Sequence, residues 1–125
     1  MEQAEGGTGT GEAAGGPVCE HYQRAAEIVG KRWNPQIVQV LLRGSSRYRD
    51  VKAAVPGISD HILSDRLKSL EAQGIVRREV ATDTPIRISY ELTEMGEGLA
   101  EAIGALAEWA EQWARPRGEA AHSLI

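Results

Sequence analysis

A mainly α fold with a small β-hairpin wing (α+β), a winged helix-turn-helix with a long C-terminal helix, is the class predicted for this 125-residue chain by three observations. Apolar residues recur at helical spacing in successive segments bounded by caps and by glycine or proline stops. Two short β-rich runs flank a Thr-Asp-Thr-Pro turn near the middle of the chain. The resulting order of helix, strand, turn and strand backs a polar-faced helix with a hairpin, an arrangement able to hold duplex DNA at two places.

The first 17 residues, MEQAEGGTGTGEAAGGP, are rich in glycine and carry three glutamates. They offer too little apolar surface to offset the entropy of ordering, so a disordered arm is expected over 1–17. The arm lacks the basic start and apolar run of a signal peptide, and nowhere do eighteen apolar residues run together. A cytoplasmic protein with no membrane association is therefore expected. One domain over 18–114 and a flexible tail over 115–125 complete the expected organisation.

A first helix is predicted over 20–29, with Tyr22, Ala25, Ala26, Ile28 and Val29 on its apolar side and Gly30 as its stop. The second begins at Asn34 as N-cap with Pro35 in the first turn, carries Ile37, Val38, Val40, Leu41 and Leu42, and ends at Gly44. Ser45, Ser46 and Arg47 predict a turn or a very short strand, and a third helix over 48–55 stops at Pro56-Gly57. Ser59 caps a fourth helix that runs to Gln73, with Gly74 beyond it. Helical spacing gathers Leu63, Leu67 and Leu70 on one side of it, Ile62 at the margin, and His61, Ser64, Asp65 and Lys68 on the other. Strands are predicted over 75–81 and 86–92 around a turn at 83–85.

Thr93 caps a fifth helix reaching about Ala114, with Met95, Leu99, Ala102, Ile103, Leu106, Trp109, Ala110 and Trp113 in one broad stripe opposite a row of glutamates. A stripe with two tryptophans exceeds what a small core needs, and exposed apolar patches of that size usually mark interfaces. Pairing with a second copy through Ala102, Ile103, Leu106, Trp109 and Trp113 would bury it in a C2 homodimer. The plainer reading is that this helix only closes its own core.

The net charge of −4 argues against nucleic acid until its distribution is read. Residues 20–92 carry twelve Lys or Arg against nine Asp or Glu, whereas 93–125 carry two against six and 1–19 carry three acidic residues alone. A basic middle between acidic ends suits phosphate contact by the middle.

The chain resembles the HxlR-type winged-helix transcriptional regulators, relatives of the MarR regulators, over about residues 18–113. The resemblance lies in Cys19, in GKRW (Gly30 to Trp33), in SRYRDVKAAVPGIS (Ser46 to Ser59), in LSDRLKSLEAQGIV (Leu63 to Val76) and in TPIRISYELTEMG (Thr84 to Gly96), five pieces in order. It implies a homodimer whose two recognition helices enter successive major grooves of a pseudo-palindromic operator near its own or neighbouring genes, with the wings flanking. The chain departs from the family's pattern at Cys19-Glu20, where Cys-Pro is usual, and at His61 and Asp65, where amide or basic residues are common.

His61, Ser64, Asp65 and Lys68 are the candidate base and phosphate contacts, with Ser59 at the helix start; the plain alternative is a solvated face. Asp65 can accept from cytosine N4 while repelling phosphates. Arg66 falls inside the apolar arc, which favours a structural role with its stem over the core and its head paired to a carboxylate or carbonyl. Arg87 is the candidate wing contact; of Arg77 and Arg78 only one can face DNA, because adjacent strand residues point oppositely. Ser46, Arg47 and Tyr48 resemble a phosphate-clamping helix entry.

Cys19 is the sole cysteine, so it forms no internal disulfide. A thiol just before a helix and two residues from His21 is placed to react with oxidants or electrophiles, and the resemblance implies a sensing role at this position; the alternative is an inert thiol beside the first helix. A Cys19 pair could also cross a dimer. Trp33 is expected to anchor the core, and an indole-lined dimer cleft at Trp109 and Trp113 could admit a small aromatic ligand. The chain shows no metal-ligand spacing and no phosphate-cradling glycine loop, so no catalytic, metal or cofactor residues are assigned and an enzyme is not expected.

Overall fold

The computed structural model describes residues 19–115, which divide after Gly30 into two compact units. The first holds α1 (Glu20–Gly30), in which no side chain is buried. The arm expected over 1–17 and the tail beyond Arg115 lie outside the described residues.

The second unit runs α2 (Asn34–Leu42), β1 (Ser46–Arg47), α3 (Tyr48–Ala54), α4 (Asp60–Ala72), β2 (Val76–Ala81), β3 (Arg87–Leu92) and α5 (Glu94–Trp113). Its sheet is antiparallel with β3 central, in the order β1-β3-β2. Helices followed by a hairpin and a long helix, with β1 added to the wing, constitute the winged helix-turn-helix that the sequence predicts. The two-residue β1 resolves the choice between turn and strand at Ser46: Ser46 pairs with Tyr90 and Arg47 with Ser89.

The core of the second unit is an apolar cluster drawn from its helices and its sheet. Ile37, Val38 and Leu41 of α2, Val51 of α3, Leu63, Leu67 and Leu70 of α4, and Ile75 and Val76 at the start of β2 are all buried. Each such side chain contributes about 1.5–3 kcal/mol on leaving water. The Leu63, Leu67 and Leu70 spacing buries one face of α4 and leaves the opposite face to solvent.

Two joints fix α4 and α5. At the end of α4, Ile75 N–H donates to Leu70 O at 2.9 Å and Gly74 N–H to Glu71 O at 3.0 Å, with Gly74 at φ 83°. This paired closure of the last carbonyls needs the left-handed residue that glycine supplies. Thr93 then ties α5 to the same corner. Its Oγ1 accepts from Gly96 N–H at 3.1 Å and lies 2.5 Å from Gly74 O, to which it donates, while its own N–H donates to Ile75 O at 3.0 Å. Gly96 leaves no room for a side chain, because a Cβ there would fall 2.2 Å from Ile75 O.

The start of α2 differs from the expectation. Trp33, not Asn34, is the residue before the helix, and it holds φ 81° in the left-handed region; Asn34 is the first helical residue and is 3% exposed. A non-glycine residue there costs about 1–2 kcal/mol and persists only where its surroundings hold it. Arg32 contributes by laying its guanidinium 4.7 Å from the centre of the Trp33 ring. Trp33 is half-buried rather than a fully enclosed anchor.

The stripe on α5 also divides. Gly96, Ala100 and Ile103 face the core, with Ile103 only 3% exposed, whereas Leu106, Trp109 and Trp113 are 50%, 58% and 67% exposed. Ile103, expected at an interface between copies, therefore packs inside its own protomer, because α5 crosses α2 and β3 at that level. Ala102, Leu106, Trp109 and Trp113 stay outside.

Candidate nucleic-acid interface

Ser59 starts the candidate reading helix by accepting Ile62 N–H on its Oγ at 3.1 Å. That bond satisfies an otherwise orphan donor and assigns the Ser59 oxygen a capping task, leaving its hydroxyl hydrogen for another acceptor. Beyond it His61, Ser64, Asp65 and Lys68 are all exposed along one face of α4. The lysine and the neutral donors suit phosphate and base edges.

Asp65 is not free to swing toward a base. Arg66 Nη1 lies 2.7 Å from Asp65 Oδ2, and Arg66 Nε donates to Arg32 O at 2.9 Å. With its side chain 15% exposed, Arg66 does what its place in the apolar arc suggests: the stem packs down and the head pairs with a carboxylate and a carbonyl. Its guanidinium offsets the carboxylate that would otherwise repel DNA.

Tyr48, expected to meet phosphate, is half-buried and its hydroxyl is engaged by the start of α4. Its hydroxyl donates to Asp60, whose carbonyl oxygen and Oδ1 both lie at 3.1 Å. Burial first, and then the bond and charge of Asp60, push the phenol above its ordinary pKa, with a hydrogen bond to Ser64 acting the other way. Lys52 Nζ stands 3.8 Å from the same Asp60 carboxylate. Tyr48 thus braces the start of α4. The helix it opens, α3, has seven residues, with Arg47 as the residue before it.

The structure brings Ser46, Arg47 and Arg87 together. With Ser45 and Ser89 they line one groove of about 400 Å³ between β1 and the turn end of the hairpin. The register explains the convergence: Arg47 pairs with Ser89 across β1 and β3, and Ser89 lies two residues from Arg87, on the same sheet face. Two guanidinium groups and three hydroxyls around one groove make a donor set for an anion. Asp50 and Glu79 border the same groove and set limits on it. Ser45 and Ser89 were missed in the sequence; period-two spacing from Arg87 could have found Ser89, whereas Ser45 has no local signal.

Of the paired arginines, Arg77 lies 3.0 Å from Glu91 and 3.3 Å from Glu79, so its charge is already matched. Arg78 points to the opposite sheet face, in register with Tyr90. Cys19 is exposed just ahead of α1. Among the described residues, no group of three or more His, Cys, Asp or Glu is placed to hold a metal ion, and no helix is long and apolar enough to cross a membrane.

A helix with an exposed polar face, braced at its start, in a fold whose hairpin wing carries a groove with two arginines, defines the winged helix-turn-helix class of regulator. Residues 28–118 match the HxlR-like helix-turn-helix family, and the chain belongs to it. It is 43% identical over 99 residues to the HTH-type transcriptional regulator YvaP of Bacillus subtilis, a match spanning 79% of this chain and 92% of YvaP. The HTH-type transcriptional regulator YodB of the same organism is 37% identical over 102 residues, 82% of this chain and 91% of YodB. Among solved structures, reduced YodB from B. subtilis matches with a TM-score of 0.73 at 36% identity, covering 82% of this chain and all of that one. Diamide-treated YodB matches at 0.68 and 38% identity, covering 77% and 95%.

Proposed function

We propose that this chain is a non-catalytic, cytoplasmic regulator that binds duplex DNA as a homodimer. One α4 would enter each half of a pseudo-palindromic operator, near its own or neighbouring genes. The observation that carries the reading is the convergence of Arg47 and Arg87 with three serines on one groove of the wing. In this reading the groove grips phosphate and His61, Ser64 and Lys68 meet the major groove, with Asp65 presented in the orientation Arg66 allows. The exposed Leu106, Trp109 and Trp113, with Ala102 beside them, supply the surface for the second copy. The test is binding to its own upstream intergenic DNA at two salt concentrations. Affinity should fall steeply with salt, and Arg87→Ala should lower the slope by about 1. Salt-insensitive binding, or none to any upstream fragment, overturns the reading.

A second reading concerns the input. Cys19 is exposed, and the similar YodB has been solved both reduced and after diamide treatment. In this reading oxidation or an electrophile acts at Cys19 and DNA release is the output. If Cys19→Ser and wild type release DNA identically under diamide, the thiol is not the sensor. A small aromatic ligand between the indoles of a dimer is an alternative input.

A further inference from the structure

A second cleft, which shares no lining residue with the wing groove, lies between α2 and the end of α3. It has a volume of about 390 Å³ and is lined by Trp33, Gln36, Gln39, Val40 and Arg43 from α2 and its flanks, and by Ala54, Val55 and Pro56 from the end of α3. Its chemistry is asymmetric. An indole, two valines, an alanine and a proline make an apolar wall, two amides offer hydrogen bonds, and Arg43 is the lone charged group of the lining. No carboxylate faces Arg43 there. A lining of this kind fits a small planar molecule with an apolar body and one carboxylate, the body against the indole and the carboxylate on the guanidinium.

The wall of this cleft is wired to the reading helix. Trp33 holds its left-handed φ of 81°, and the Arg32 guanidinium stacks 4.7 Å from its ring centre. The Arg32 carbonyl accepts Arg66 Nε at 2.9 Å, and Arg66 holds Asp65 at 2.7 Å. The indole also leans on the turn that launches α4, since a Cβ at Gly57 would sit 3.6 Å from Trp33 Cη2. Three consecutive contacts, Trp33 to Arg32, Arg32 to Arg66 and Arg66 to Asp65, therefore join the cleft to a side chain on the exposed face of α4. Trp33 sits in a backbone region that its surroundings and not its own propensity hold, so a ligand packed on its indole acts on a strained residue at the head of this chain of contacts.

We propose that the cleft between α2 and the end of α3 is an effector site for a small planar carboxylate, and that its occupancy repositions Asp65 through Trp33, Arg32 and Arg66. The site is separate from Cys19 and from the exposed indoles of α5, and its binding step does not depend on DNA binding. Failure of this proposal therefore leaves the DNA-binding reading untouched, and the reverse also holds.

The test titrates ¹⁵N-labelled, DNA-free protein with benzoate and 1-naphthoate, using benzamide as the uncharged match. Saturable shifts are expected at the Trp33 indole N–H and the Arg43 side chain, followed by shifts at the Arg66 Nε–H and the Asp65 amide. Benzamide should bind about tenfold or more weakly, and Arg43→Gln should lose the same factor for benzoate, since Arg43 is exposed and its loss leaves the fold intact. Equal binding of benzamide and benzoate, wild-type affinity in Arg43→Gln, or no saturable binding by either acid overturns the site. Shifts confined to the cleft, with Arg66 and Asp65 unmoved, overturn the transmission.

Discussion

At the scale of single residues, the wing groove and the reading face separate affinity from selectivity. Arg47 and Arg87 line one groove, so removing either should weaken binding to all sequences alike, by a similar factor on operator and random DNA in a titration. Asp65→Ala should act differently. It removes a carboxylate from the exposed face and frees the Arg66 head, so non-specific binding should rise and the ratio of operator to random-sequence affinity should fall. Tyr48→Phe tests the brace at the start of α4. At neutral pH it should lower stability by about 1 kcal/mol, the worth of one hydrogen bond. Because the folded-state pKa of Tyr48 is raised, the neutral phenol's contribution is complete below the unfolded value and is lost as pH rises through the folded one. Thermal melts should accordingly show the gap between Tyr48→Phe and wild type narrowing above about pH 10.

At the scale of elements, the corner where α4, β2 and α5 meet carries the tightest packing. Gly96→Ala would drive a methyl group into Ile75 O, a contact of 2.2 Å that only a shift of α5 or of the strand could relieve. A loss of about 1–3 kcal/mol is expected in a denaturation curve, although a glycine-to-alanine change inside a helix would otherwise stabilise it. Gly98→Ala, on the same helix with open space around its Cβ position, is the control and should not lose stability. The elements themselves were legible from local chemistry. Ser59 and Thr93 announced helix starts as side-chain caps, and Gly74 marked the end of α4. The start of α2 was not legible, because the geometry of Trp33 is fixed by Arg32 and by the packing around the indole, and neither is a local propensity.

For the whole molecule, the proposed homodimer rests on the outer surface of α5. Leu106→Asp with Trp109→Asp should leave the protomer folded, since both side chains are exposed, and should shift sedimentation from dimer to monomer. DNA affinity should then drop sharply as the second half-site is lost. The sequence by itself determined the fold class, the polar face of α4, the supporting role of Arg66 and the basic character of the middle of the chain, because spacing, caps and charge order are local properties. Only the tertiary structure decided that Ile103 belongs to the core while Leu106 does not, that the Tyr48 hydroxyl bonds to Asp60, and that Ser45 and Ser89 join Arg47 and Arg87 in one groove. A helical stripe gives the direction a side chain takes around its axis. It does not say where a crossing helix stops covering that stripe, nor which strands meet, and those follow from the packing of elements distant in the chain.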